Sequence, residues 1–66
     1  MTARTVRMWC VVNAGGWPLP CTVDKRRKDA IASYNGAYGG GFNIYHNDRR
    51  RYGVQVARCI VAVEIE

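Results

Sequence analysis

Thr22 to Gly36, TVDKRRKDAIASYNG, is the stretch whose reading decides the fold. Thr22 or Asp24 is a candidate N-cap, and Gly36 after Asn35 supplies a left-handed stop. Ala30, Ile31 and Tyr34 recur at helical spacing and give one apolar face, with Val23 near its start. Lys25, Arg26, Arg27 and Lys28 form the other face, with Asp29 behind them. A lone helix of about fourteen residues is marginal in water. Its apolar face therefore has to pack on the β-rich sequence to either side.

Upstream, Val6, Met8, Cys10 and Val12 alternate with Thr5, Arg7, Trp9 and Val11, which predicts a strand from Thr5 after a loose end at residues 1–4. The first of these faces is apolar throughout and is expected to meet the helix. Trp9 and Val11, on the reverse, would need cover from a loop, a second copy or a partner. Asn13-Ala14-Gly15-Gly16 reads as a turn. Pro18 and Pro20 each remove a ladder donor, so Trp17-Pro18-Leu19-Pro20 reads as an extended connector or an edge. Trp17 is expected to fold back as a lid on the small core, the alternative being an exposed anchor for a partner.

Downstream, the three glycines after Tyr38 predict a mobile loop. The strand–loop–helix order and following Lys of a phosphate cradle are missing there. Phe42, Ile44 and His46 alternate with Asn43 and Tyr45, as in a short strand. Asn47-Asp48 then opens a turn into Arg49-Arg50-Arg51. From Tyr52 onward, Ala57, Cys59, Val61, Val63 and Ile65 share one face. Val54 and Val56 have the wrong parity for it, which predicts a bulge or bend near Gln55–Arg58.

The expected order is thus β-α-β-β. It describes one small α+β domain over residues 1–66, with a three-stranded, mostly antiparallel sheet and one helix packed on one face. The last two strands would form a hairpin, and the first two would run parallel through a right-handed crossover. Alternatively, the long C-terminal strand lies centrally and pairs with both others.

Sixty-six residues form one domain with a thin core, to which oligomerisation or partner binding would add stability. Ten Lys plus Arg against five Asp plus Glu leave a formal charge of +5, which favours polyanionic partners or an acidic patch on another protein. Three cysteines without dense spacing fit a reducing compartment. The chain has no run long and apolar enough for a spanning helix and no secretory h-region. The expectation is a soluble, cytoplasmic protein.

Cys10, Cys21, His46 and Cys59 lack the close pair that structural zinc sites offer, and Cys10 and Cys59 fall on core-facing strand positions, so no metal site is expected. Cys21 with His46 has no orienting third group at recognisable spacing. Glu64 and Glu66 sit at a fraying end. The sequence therefore implies neither catalysis nor a cofactor.

The basic clusters say more. Positive charge in the first turns of a helix opposes the macrodipole by roughly 0.3–1 kcal/mol per exposed residue. Helix stability alone would not place Lys25, Arg26, Arg27 and Lys28 there. Arg49, Arg50 and Arg51 form a second cluster, with Tyr38, Tyr45 and Tyr52 nearby in sequence. Arginine beside aromatic rings suits phosphate contacts and stacking. The bland alternative is two solvated, solubilising patches. No helix-turn-helix, RNP-type strand, GXXG loop or zinc finger accompanies them.

Trp9-Cys10-Val11-Val12-Asn13, Gly16-Trp17-Pro18-Leu19-Pro20 and Arg27-Lys28-Asp29-Ala30-Ile31, with a basic turn before a terminal strand, resemble the small accessory proteins of phages and mobile elements, anti-CRISPR inhibitors among them. The resemblance implies a non-enzymatic binding module in the host-cell cytoplasm that occludes a protein or nucleic-acid surface on a large complex. Its contacts would come from Lys25–Lys28, Arg49–Arg51 and an aromatic anchor among Trp17, Tyr38 and Tyr45. The alternatives are a small basic protein that binds nucleic acid directly, and a homodimeric component joined through Trp9 and Val11.

Overall fold

The computed structural model describes residues 2–65. Two eleven-residue strands, β1 (Thr2–Val12) and β2 (Gln55–Ile65), pair antiparallel as the whole of a two-stranded sheet. Between them come a 3-10 turn (Pro20–Thr22), helix α1 (Arg27–Gly39) and helix α2 (Tyr45–Tyr52). The domain is α+β, but the expected three-stranded β-α-β-β sheet is overturned: the order is β-α-α-β. The strands run in unbroken register from Thr2 opposite Ile65 to Val12 opposite Gln55. Thr2–Arg4 are therefore strand rather than a loose end, and Met1 lies outside the described residues. The C-terminal strand does pair with β1, as the alternative arrangement had it, but among the described residues it has no third strand beside it.

The missing strand is α2. Phe42–His46 was expected to be extended, yet α2 starts at Tyr45. Its first free amides are satisfied from a distance: Asn35 Oδ1, on α1, accepts the N–H of Ile44 and of Tyr45 at 3.0 Å each. Helix starts need such acceptors, and Ile44 has no side chain that could serve. Asp48 in the first turn and Arg49, Arg50 and Arg51 in the last both suit the helix dipole, and Gly53 at φ 74° ends the helix. The triple arginine is thus a helical turn, and not a hairpin loop.

Helix α1 also starts and stops later than the sequence indicates. Asp24 is drawn into pairing with Trp9 through two backbone hydrogen bonds of 2.7 and 2.8 Å, so the helix begins beyond it, at Arg27. The chain runs helically through Gly36 and turns at Gly40, φ 61°, a backbone conformation that glycine tolerates best. The Tyr34 and Tyr38 rings, one turn apart, lie 4.9 Å from each other across Gly36. Gly39 is needed for another reason: a Cβ there would come within 3.0 Å of Ile44.

The core is Val11, Tyr34, Tyr45 and Val54, with Leu19, Ile31, Ile44 and Val56 packed against it. Ala30 and Tyr34 are buried and Ile31 half-buried, as helical spacing predicts. The core cluster, however, draws Val11 from the face opposite to the one expected to meet the helix. Val11 lies opposite Val56 and both pack in the core, while Cys10, on the expected face, is buried as well. The wrong parity of Val54 and Val56 consequently marks no bulge. It records that the helices cover the first part of β2 from one side, whereas the later apolar positions face the other way.

One buried polar group ties the connector to the sheet. Thr22 is fully buried; its Oγ1 accepts the Val11 N–H at 2.8 Å and donates to the Leu19 carbonyl at 2.6 Å. Leu19 N–H in turn donates to the Val11 carbonyl, and Val12 bridges to Pro18. The proline-bearing segment so occupies the outer edge of the C-terminal half of β1, as the edge reading of Pro18 and Pro20 anticipates. The N-terminal half of β1 and its β2 partners extend past the helices, giving a body of 42 × 23 × 15 Å.

Candidate binding surface

Helix spacing places His46, Asn47 and Arg50 on one side of α2, and Asn43 lies two residues before it. They line an open depression of about 270 Å³. Arg49 and Arg51, next to Arg50 in the chain, are both exposed, and the Arg51 guanidinium lies 5.4 Å from the centre of the Tyr52 ring. Two amides, an imidazole and a guanidinium offer several donors and no fixed negative charge. That set suits an oxyanion or the polar edge of a base.

The second cluster does not sit on a helix as a whole. Lys25 and Arg26 lie in the bend before α1, and only Arg27 and Lys28 enter its first turn. All four are exposed. The bend follows Asp24, which the two backbone bonds hold beside Trp9. Arg58 lies opposite Trp9 across the sheet, its guanidinium 5.2 Å from the ring centre. Arg7 shares the face of Trp9 two residues away. Arg7 and Arg58 thereby join the Lys25–Arg26 bend around one half-buried tryptophan. Sequence reasoning missed both, because strand register alone brings Arg58 to Trp9.

Of the three aromatic anchors expected, two are available. Trp17 is 74 % exposed, so it is no lid on the core, and Tyr38 is also exposed. Tyr45 is 2 % exposed and is withdrawn from the site: its ring packs edge-on to Tyr34, and its Oη accepts the Val56 N–H at 3.0 Å. Tyr52, noted in the sequence beside the arginines, is exposed, and Phe42, 79 % exposed, is an aromatic that the sequence reading passed over. Phe42 was missed because alternation assigned it to a strand face.

No protein-family model, curated protein or solved structure matches the chain. Its chemistry has to be read from its own side chains. Among the described residues, no group of three or more His, Cys, Asp or Glu is placed to hold a metal ion. The Cys21 thiol and Tyr38 hydroxyl are hydrogen-bonded at 3.5 Å, and that contact is the main cause that raises the Tyr38 pKa. Cys10 lies next to Cys59 on the sheet, and burial first, then Cys59, pushes its thiol up to about 11. A thiol so raised is protonated and unreactive at neutral pH. No described helix is long and apolar enough to cross a membrane.

Proposed function

We propose that the protein is a non-enzymatic docking module that seats α2 on an anionic surface of a larger macromolecular assembly. The observation that carries this reading is α2 itself. Its last turn holds Arg49, Arg50 and Arg51, all exposed, with Arg50 lining the open depression and Arg51 beside the exposed ring of Tyr52. Arginine next to an exposed aromatic ring is the usual composition of a protein–protein hot spot. Trp17 and Tyr38 add aromatic area that the fold does not bury. The resemblance to small phage inhibitors of host-defence complexes fits such a module, whose effect comes from covering a surface rather than from chemistry.

A second reading is direct binding of nucleic acid, favoured by the donor set of Asn43, His46, Asn47 and Arg50. A tagged pull-down from bacterial lysate, run with and without nuclease, separates the two. A discrete protein partner that survives nuclease supports docking on protein. Recovery of nucleic acid alone, lost after nuclease, overturns it in favour of the second reading.

A further inference from the structure

β2 has β1 on one side and no strand on the other among the described residues. The direction of its polar groups follows from β1. Trp9 exchanges backbone hydrogen bonds with Asp24, and Val11 donates its N–H to Thr22 Oγ1 while its carbonyl accepts the Leu19 N–H. Both residues thus turn their amide groups away from β2. In an antiparallel ladder such residues lie opposite partners that also turn away, alternating with pairs that bond each other. The partners here are Arg58 and Val56, and the parity carries on to Ile60, Ala62 and Glu64. Val56 agrees, since its outward N–H is the one that Tyr45 Oη accepts. Beyond it, the N–H and C=O groups of Arg58, Ile60, Ala62 and Glu64 face an open edge.

That edge lacks the protection by which sheet edges avoid pairing: β2 has no proline, no lysine and no bulge. The end of the ribbon away from the helices is also poorly packed. Ile60 is 72 % exposed on one face, and Val6 and Val63 are 44 % and 42 % exposed on the other. Two strands without cover are marginal in water, and a third strand is the usual remedy.

The geometry points to a second copy of this chain as the occupant, with β2 pairing antiparallel to β2 about a two-fold axis at Val61. The charges select both occupant and register. Arg58 and Glu64 lie at equal distance on either side of Val61. A two-fold there sets Arg58 of each copy opposite Glu64 of the other, on residues whose amide groups already point outward. Ile60 then meets Ala62, Cys59 meets Val63 and Val61 meets itself, so every other pair from 58 to 64 is apolar. Moving the axis by one residue, to Ile60, would put Arg58 against Ala62 and Glu64 against Val56. The outer edge of β1 offers no equivalent. The Pro18–Asp24 segment occupies one half, and the other carries Arg4 and Arg7 without an acid. The product is a four-stranded sheet, β1-β2-β2-β1, with the helices of both copies left on its outer parts.

Light scattering and sedimentation over micromolar to near-millimolar concentration test the assignment. A dimer is expected for the wild type. Ala62→Pro removes an outward N–H that β1 does not use, so it should give a folded monomer, checked by circular dichroism. Glu64→Arg should weaken the dimer about tenfold, and Arg58→Glu with Glu64→Arg should restore it to within about threefold. With Cys21 and Cys59 replaced by serine, Val61→Cys should cross-link two chains on mild oxidation. A wild type that stays monomeric throughout overturns the proposal, as does a dimer indifferent to Ala62→Pro. Arg49, Arg50 and Arg51 take no part, so failure here leaves the docking reading of α2 untouched.

Discussion

The Tyr34 hydroxyl donates to Asp48 Oδ2 at 2.6 Å and joins the middle of α1 to α2 through a part-buried, charge-assisted hydrogen bond. α2 is short and highly polar, so it is held by the packing of Ile44 and Tyr45, by the Asn35 cap and by this bond. Tyr34→Phe keeps the ring in the core and deletes the bond. A loss of about 1.5–3 kcal/mol is expected, read as a lower urea midpoint at unchanged m value. Burial first, then Asp48, raises the Tyr34 pKa well above the ordinary tyrosine value. The fold therefore holds the neutral hydroxyl. That contribution is complete below the unfolded value of about 10 and is lost as pH rises towards the folded one. Tyr34→Phe should flatten this alkaline loss, and an unchanged alkaline slope would remove Tyr34 as its source.

Asn35 caps a helix other than its own. Asn35→Ala should free the amides of Ile44 and Tyr45 together and cost about 1–2 kcal/mol, with a loss of helical ellipticity larger than one residue explains. Asn35→Asp keeps the acceptor and adds a charge of the favourable sign, so it should leave stability near wild type. Equal losses in the two variants would mean that Asn35 acts through packing.

These two links explain which parts of the fold the sequence discloses. Ala30, Ile31 and Tyr34 announce α1 because their spacing is local, and the strand character of β1 and β2 is equally local. α2 depends on Asn35, nine and ten residues before the amides it caps. The alternation of Phe42, Ile44 and His46 points to a strand, although Asp48, the arginines and Gly53 are helix signals in hindsight. The choice of sheet face is not local either, since Val11 and Val12 are both apolar and only tertiary packing decides which is covered. In the candidate site, exposed charge was legible from composition. The burial of Tyr45 and the meeting of Arg58 with Trp9 depend on α2 and on strand register, and alternation reveals neither.

Thr22 supplies the sharpest test of buried polarity. Thr22→Val preserves shape and leaves the Val11 N–H without an acceptor, for an expected cost of about 1–3 kcal/mol. Thr22→Ser retains the hydroxyl and should cost distinctly less. Hydrogen exchange at Val11 should quicken in the valine variant and stay slow in the serine one. If the two substitutions weaken the protein equally, the methyl group matters more than the hydroxyl.

The three cysteines should separate by reactivity. Cys21 is exposed, Cys59 half-buried and Cys10 buried, with a thiol raised to about 11. At neutral pH an aromatic disulfide reagent should label Cys21 first and Cys10 last, and urea should abolish the order. Because the folded pKa of Cys10 exceeds its unfolded value, its share of stability is complete below about pH 8.5 and fades as pH approaches 11. Rapid labelling of Cys10 in the native protein would show that the sheet opens there more readily than its burial implies.

The arginines of α2 serve the helix and the proposed surface at once, so their two roles must be separated. Replacing Arg49, Arg50 and Arg51 with alanine removes charges that suit the helix C-terminus, each worth about 0.3–1 kcal/mol. Weaker binding by that variant alone would be ambiguous. The triple lysine variant keeps the charge and the helix but loses the planar fork that grips carboxylate or phosphate at two points. If fork geometry matters, the lysine variant should melt like wild type yet bind at least several-fold more weakly, and the alanine variant should be weaker in both respects. If nucleic acid is the target, each arginine replaced by alanine should lower the slope of log K against log salt by about 0.9, while lysine leaves it unchanged. Wild-type affinity in both triple variants would take α2 out of the binding surface and leave Trp9, Arg7 and Arg58 with the Lys25–Lys28 bend as the remaining basic contact region.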